Sequence, residues 1–157
     1  MNDLALLYER YAPDVFRFAL YLCGNRADAE DIASETFVRV WTAGDAVRTE
    51  TVKGLLFTIA RNLYLKQLKQ SARRAELPET LADPAPATDL RLEQRDQAEA
   101  VLKAMEKLPP MDRAALAMRT IDGLSYKEIA RILEMTEVSA KVKVHRARAA
   151  LMNLRRS

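Results

Sequence analysis

The sequence predicts an all-α chain: two small helical domains joined by a flexible linker, the second containing a helix-turn-helix. Three observations lead there. Apolar residues recur at three- and four-residue spacing through both ends of the chain, the period of an amphipathic helix. Only 4 Gly and 6 Pro occur in 157 residues, too few for an all-β fold with a turn every ~8–12 residues. No GxGxxG or GxxxxGKS/T run exists to cradle a phosphate, which disfavours Rossmann and P-loop folds. With 49% hydrophobic and 30% charged residues, the chain supports a buried core rather than wholesale disorder.

The elements follow in order. Leu4, Leu7, Tyr8, Tyr11, Val15, Phe18, Ala19 and Leu22 mark a first helix, with a kink or boundary at Pro13. Gly24 stops it and Asn25 is positioned to cap the next. The second helix runs from about Ala27 to Ala43, with Ile32, Phe37, Val40 and Trp41 facing inward, and ends at Gly44-Asp45. The third spans about Val52 to Arg74 with a core stripe of Leu56, Ile59, Ala60, Leu63 and Leu68. Pro78, Pro84 and Pro86 then exclude a helix interior, so Glu76 to about Asp89 reads as a linker; a packed connecting loop within one domain is the alternative. A mixed-charge helix follows over 90–107, broken by Pro109-Pro110, and another runs from Arg113 to about Ile121. After the Asp122-Gly123 turn, Ser125 with Glu128 forms a capping box ahead of Ile129, Ala130 and Leu133. The last helix starts around Thr136 and carries Val138, Val142, Leu151 and Leu154 on its apolar side. The domains are therefore placed at 1–75 and 95–157, with the linker at 76–94.

Several function classes are excluded early. Cys23 is the one cysteine, so neither an intrachain disulfide nor a Cys-rich zinc site can form; its apolar setting favours a small buried residue over a nucleophile. His145 is the one histidine, which leaves no His-based metal site and no catalytic triad. No cofactor or enzymatic activity is expected. The start lacks a basic n-region and an apolar h-region, and no window approaches ~18 apolar residues, so a cytoplasmic location without membrane insertion is expected.

Charge is distributed unevenly. Residues 1–75 hold 11 Lys+Arg and 9 Asp+Glu (+2), residues 76–100 hold 2 and 7 (−5), and residues 101–157 hold 12 and 6 (+6). Two basic ends around an acidic middle suggest a polyanionic partner. Residues 125–148 have the dimensions of a helix-turn-helix, with small Ala130 at the crossing, although Glu134-Met135-Thr136 supplies no Gly for the turn. From residue 138 onward Lys141, Lys143, Arg146, Arg148, Arg155 and Arg156 join His145 with no acid at all, the make-up of a helix that meets phosphates and base edges. A basic solvated helix or one docking an acidic protein is the alternative.

Two other helices carry candidates. The third interleaves Lys53, Arg61, Lys66, Lys69, Arg73 and Arg74 with Phe57, Asn62 and Tyr64. Aromatic faces beside cations suit an unstacked base and its backbone; equally, Phe57 and Tyr64 are core residues and the charges solvate the helix. The second helix opens with Asp28, Glu30, Asp31 and Glu35 before Phe37, Val40 and Trp41. Those acids complement the helix dipole, or form a docking face with an apolar anchor; paired catalytic carboxylates rank last for want of a pocket partner.

The strings DAEDIASETFVRVW (28–41), KGLLFTIARNLYLKQLKQSARR (53–74) and LPPMDRAALAMRTIDGLSYKEIARILEMTEVSAKVKVHRARAAL (108–151) together resemble the extracytoplasmic-function (ECF) sigma factors, the smallest sigma-70 type bacterial initiation factors. The resemblance implies that Asp28, Asp31, Glu35, Phe37, Val40 and Trp41 grip the β′ coiled coil of core RNA polymerase, with the β flap as a second contact. It further implies that the loop at Asp45–Glu50, including Arg48, and Lys53, Phe57, Arg61, Asn62, Tyr64 and Lys66 recognise and open the minus-ten promoter element. Ser139, Lys141, Lys143, His145, Arg146 and Arg148 would read the minus-thirty-five element, with Ser139 placed for a phosphate.

Two departures stand out. Leu55 replaces a Trp common in the run that here reads LLFTIARN, and Lys141-Val142 replace Arg-Ser; Lys lacks the planar fork that Arg offers guanine. The acidic linker is expected to avoid DNA and thread a positive channel of the polymerase. An anti-sigma factor is the expected regulator, held on the exposed Leu, Val and Met surface of the two domains, giving a monomer or a sigma/anti-sigma heterodimer tethered to a membrane only through that partner. The competing reading is a sigma-like mimic that binds anti-sigma factors without DNA; its recognition helix would have lost the basic residues retained here. A dimeric helix-turn-helix repressor would need a heptad seam, and none is found.

Overall fold

The computed structural model describes residues 2–43, 52–75 and 105–156. Among them are six α-helices and no strand: α1 (Asn2–Cys23), α2 (Arg26–Ala43), α3 (Val52–Ala75), α4 (Pro110–Thr120), α5 (Tyr126–Leu133) and α6 (Glu137–Arg156). The linker and nearly all of the expected helix over 90–107 lie outside the described residues.

The local punctuation works as the residue chemistry dictates. Gly24 takes φ +69° and its N–H donates to Leu20, closing α1. The Asn25 side chain then accepts from the Asp28 N–H at 3.0 Å, starting α2. Pro109 precedes α4, and Pro110 occupies its first turn, where a missing N–H costs nothing. The Ser125–Glu128 capping box is complete: Ser125 Oγ accepts from the Glu128 N–H and Glu128 Oε1 accepts from the Ser125 N–H, both at 3.1 Å. Thr136 Oγ1 accepts from the Ser139 N–H at 3.1 Å and caps α6.

The first three helices bury Val15, Phe18 and Leu22 of α1 against Ile32 and Phe37 of α2 and Leu56, Phe57 and Ala60 of α3. At its centre the Phe18 and Phe57 rings stack with centroids 4.4 Å apart. The last three bury Ala114 and Met118 of α4, Ile129 and Leu133 of α5, and Ala140, Val144 and Ala147 of α6. The two halves meet, α1 against α4 and α3 against α5, and their apolar residues form one continuous cluster. Cys23 sits half-buried at the end of α1, its thiol donating to the Ala19 carbonyl at 2.8 Å. Burial, then the nearby Asp28 carboxylate, push that thiol up to about 11, so it stays protonated near neutral pH.

One expectation about a helix boundary and four about inward-facing residues need correction. α1 runs unbroken through Pro13, so that residue is no boundary; packing on α2 and α3 holds the helix across the lost hydrogen bond. Trp41 is 68% exposed and Leu68 46%, so neither joins the core. Val138 (72% exposed) and Val142 (50%) face solvent, because the buried side of α6 is the Ala140–Val144–Ala147 stripe on the opposite face. Small alanines let α6 approach α4 and α5 closely, whereas the larger valines stay in solvent.

The glycine-free turn closes at a local cost. Glu134 ends α5 in the left-handed region (φ 57°, ψ 55°), which disfavours a residue with a Cβ by about 1–2 kcal/mol. Its carboxylate offsets little of that, because its 3.5 Å pair with Arg61 is solvent-exposed on the Glu side. Glu134→Gly should therefore stabilise the protein by about 1 kcal/mol in urea unfolding; a clear loss of stability would mean the Arg61 pair outweighs the strain.

Candidate nucleic-acid interface

The basic helix α6 presents two faces with different fates. Its inner face is pinned by Asp112, a wholly buried carboxylate in the first turn of α4. Arg146 donates to it twice, Nε at 2.9 Å and Nη2 at 3.2 Å, and Lys143 Nζ lies 3.5 Å away. Two of the cations assigned to base reading are thus committed to holding α6 on α4, although the Arg146 side chain remains 56% exposed. Lys141, His145 and Arg148 project outward with Val138 and Val142. The Lys141 ammonium lies 5.6 Å from the Tyr126 ring centroid, whose face Arg119 shares at 4.4 Å. Ser139 is half-buried beside the helix start.

On α3 the aromatic candidates are interior. Phe57 is fully buried in its stack with Phe18 and Tyr64 is 5% exposed, so neither ring offers a face to a base in this arrangement. Asn62 and Lys66 are exposed, and Asn62 Oδ1 accepts from Arg61 at 3.1 Å. Lys53 Nζ sits 3.4 Å from Asp14 and 3.5 Å from Asp122. Arg48 and the 45–50 loop lie outside the described residues.

On α2, Asp28, Asp31 and Glu35 are exposed, Glu35 pairing with Arg39 one turn on at 3.3 Å. Trp41 and Val38 stand exposed on the same helix, whereas Phe37 is buried against Tyr8 and Val40 is half-buried. A groove between α2 and α3, lined by Asp31, Glu35, Val38, Leu63 and Lys66, runs beside these acids. Val38 escaped the sequence reading because it falls one position outside the apolar stripe.

Sequence reasoning also missed the residues that join the halves. Arg113 is 8% exposed; its Nε donates to the Tyr21 carbonyl at 2.6 Å and its Nη2 to Leu22 at 2.8 Å, while Nη1 reaches Met105 and Leu108 at 3.3 and 3.5 Å. The Asp122 side chain, 3% exposed, accepts from Arg17 at 2.7 Å. Each looked local in sequence, one a helix residue and the other half of a turn.

Residues 7–74 match the sigma-70 region 2 family and residues 98–151 match sigma-70 region 4. The chain is 32% identical over 147 residues to the ECF RNA polymerase sigma factor EcfG of Rhodopseudomonas palustris, covering 90% of this chain and 79% of that one. This chain belongs to the ECF sigma factors. The ECF sigma factor SigE of Mycolicibacterium smegmatis is 38% identical over 151 residues, 92% of this chain but 58% of its own length. The chain thus spans little more than half of that relative. The sigma factor RpoE of Bartonella quintana, solved in complex with the anti-sigma factor NepR, superimposes with a TM-score of 0.80 at 25% identity, covering 99% of this chain and 98% of that one. Among the described residues no helix is long and apolar enough to cross a membrane.

In this sigma factor, region 4 carboxylates sit on region 2 cations: Asp122 on Arg17 and Lys53, Glu134 on Arg61. Asp122→Ala should strip Arg17 and Lys53 of that partner and loosen the two regions. Small-angle scattering should then report a larger radius of gyration than for the wild type, and the wild-type radius should itself rise with salt. An unchanged radius would leave the hold to Arg113, the Arg61–Glu134 pair and the shared apolar cluster.

Proposed function

We propose that this chain is a promoter-specificity subunit: a non-enzymatic factor that binds core RNA polymerase and directs initiation at promoters with minus-thirty-five and minus-ten elements. The outward face of α6 is the observation that carries this reading. It presents Lys141, His145 and Arg148 to solvent on a helix-turn-helix, and the sequence places no acid beyond Glu137. A mimic that only bound anti-sigma factors would have no use for that face.

The residue roles follow the geometry. Asp28, Asp31, Glu35, Val38 and Trp41 form the exposed acidic and apolar surface for the β′ coiled coil, and Phe37 and Val40 set the position of α2 from within. Lys53, Arg61, Asn62 and Lys66, with Arg48 of the loop, contact minus-ten DNA, while Phe57 and Tyr64 hold α3 on its core. Arg146 and Lys143 orient α6 through Asp112 and leave Lys141, His145 and Arg148 to meet the minus-thirty-five element. Because Lys53 and Arg61 are paired with region 4 acids in this arrangement, region 2 reaches promoter DNA only after the two regions separate. The complex of RpoE with NepR supports an anti-sigma factor as the partner that governs this step.

Fluorescently labelled protein should bind bacterial core RNA polymerase in an anisotropy titration, and Glu35→Ala/Trp41→Ala should weaken that binding at least tenfold while leaving helical content intact. Binding by the double variant equal to wild type would move the docking surface off α2.

A further inference from the structure

We infer that Val138 and Val142 read the C5-methyl groups of thymines in the major groove, so that this chain specifies part of its upstream element by apolar contact. The inference rests on the promoter-reading role proposed above for α6. The two valines stand one helical turn apart, 72% and 50% exposed, on the face opposite the buried Ala140–Val144–Ala147 stripe. The fold gives no reason for them. α6 packs on α4 and α5 through the other face, and a β-branched residue at an exposed helical position is a poorer helix former than Ala or Lys.

Their surroundings say what would cover them. Lys141 lies between them in sequence, His145 follows Val142 on the next turn and Arg148 comes after, all exposed. A positively charged rim around two branched apolar side chains matches a surface that is anionic outside and locally apolar within. The thymine methyl is the apolar feature that the major groove displays, set between the phosphate backbones that cations contact. Valine has neither donor nor acceptor, so it cannot distinguish bases by hydrogen bonding; methyl contact is the readout left to it. With Cβ atoms about 5–6 Å apart and a base-pair rise of about 3.4 Å, the pair reaches methyls on base pairs at most two steps apart. Ser or Arg at these positions would favour hydrogen-bonded readout instead.

The test uses the reconstituted holoenzyme of this chain with core polymerase. Duplexes are selected from a pool randomised across the upstream element, then resynthesised with deoxyuridine in place of each thymine, which deletes the methyl and preserves pairing. Selected duplexes should hold thymines at two positions no more than two steps apart, and each deoxyuridine there should weaken binding about fourfold, the worth of one methyl removed from contact. Val142→Ala and Val138→Ala, both helix-favouring, should bind core polymerase like wild type and each lose the thymine preference at one position. Equal binding to thymine and deoxyuridine duplexes by a holoenzyme that still selects an upstream sequence overturns the valine assignment alone. So does a thymine preference unchanged in Val138→Ala/Val142→Ala. A holoenzyme that selects no upstream sequence overturns the promoter-reading role of α6 and this inference with it.

Discussion

Arg113 is the residue on which the arrangement of the two regions depends. A helix leaves its last carbonyls without partners, and α1 ends against α4 at Tyr21 and Leu22. The Arg113 guanidinium donates to both, and its remaining nitrogen reaches the carbonyls at Met105 and Leu108. A buried cation surrounded by carbonyl oxygens is tolerated because each of its nitrogens has an acceptor and because the negative end of the α1 dipole points at it. The same side chain therefore finishes a helix of region 2 and ties down the segment that leads into region 4.

A second set of contacts between the regions is ionic and has two uses. Asp14 and Arg17 of α1, Lys53 of α3 and Asp122 at the end of α4 form a mixed network, with Arg61 and Glu134 as a second, more exposed pair. One buried nitrogen in it, Arg61 Nε, has no hydrogen-bond partner. A carboxylate on a lysine is chemically a stand-in for a phosphate, so the contacts that close the two regions draw on the cations proposed for promoter DNA. Closure and promoter contact become competing states of one set of side chains, and anything that binds the open form better shifts the balance. α6 sits apart from this competition, since it packs on α4 and α5.

Much of this was legible from sequence where the signal is local. Gly24-Asn25 and the Ser125–Glu128 box mark element ends because each acts through its own backbone, whereas α4 begins at Pro110, three residues ahead of the Arg113 start expected from sequence. Motif order pointed to the family for the same reason that the helices were readable: the strings span whole elements. Faces were read less well. Hydrophobicity ranks Val above Ala, so the Ala140–Ala147 side of α6 was passed over for the exposed Val138–Val142 side, although close helix crossings favour small residues. Arg113, Asp112 and Asp122 carry no sequence signal, since the partners that join Arg113 and Asp122 to α1 and Asp112 to α6 lie between 31 and 105 residues away and no spacing rule reaches that far. Lys143 and Arg146 looked like every other cation on a basic helix until Asp112 was found beneath them.

The most direct test of this account is the distance between the two regions in the free and working protein. Dyes at Gln70→Cys and Asn153→Cys, both exposed sites, in a Cys23→Ala background would report it by single-molecule energy transfer. The account predicts a short distance in the free chain and a long one when core polymerase and promoter DNA are both bound. The same distance in both states would contradict it, because the Lys53 and Arg61 contacts to region 4 would then coexist with promoter binding.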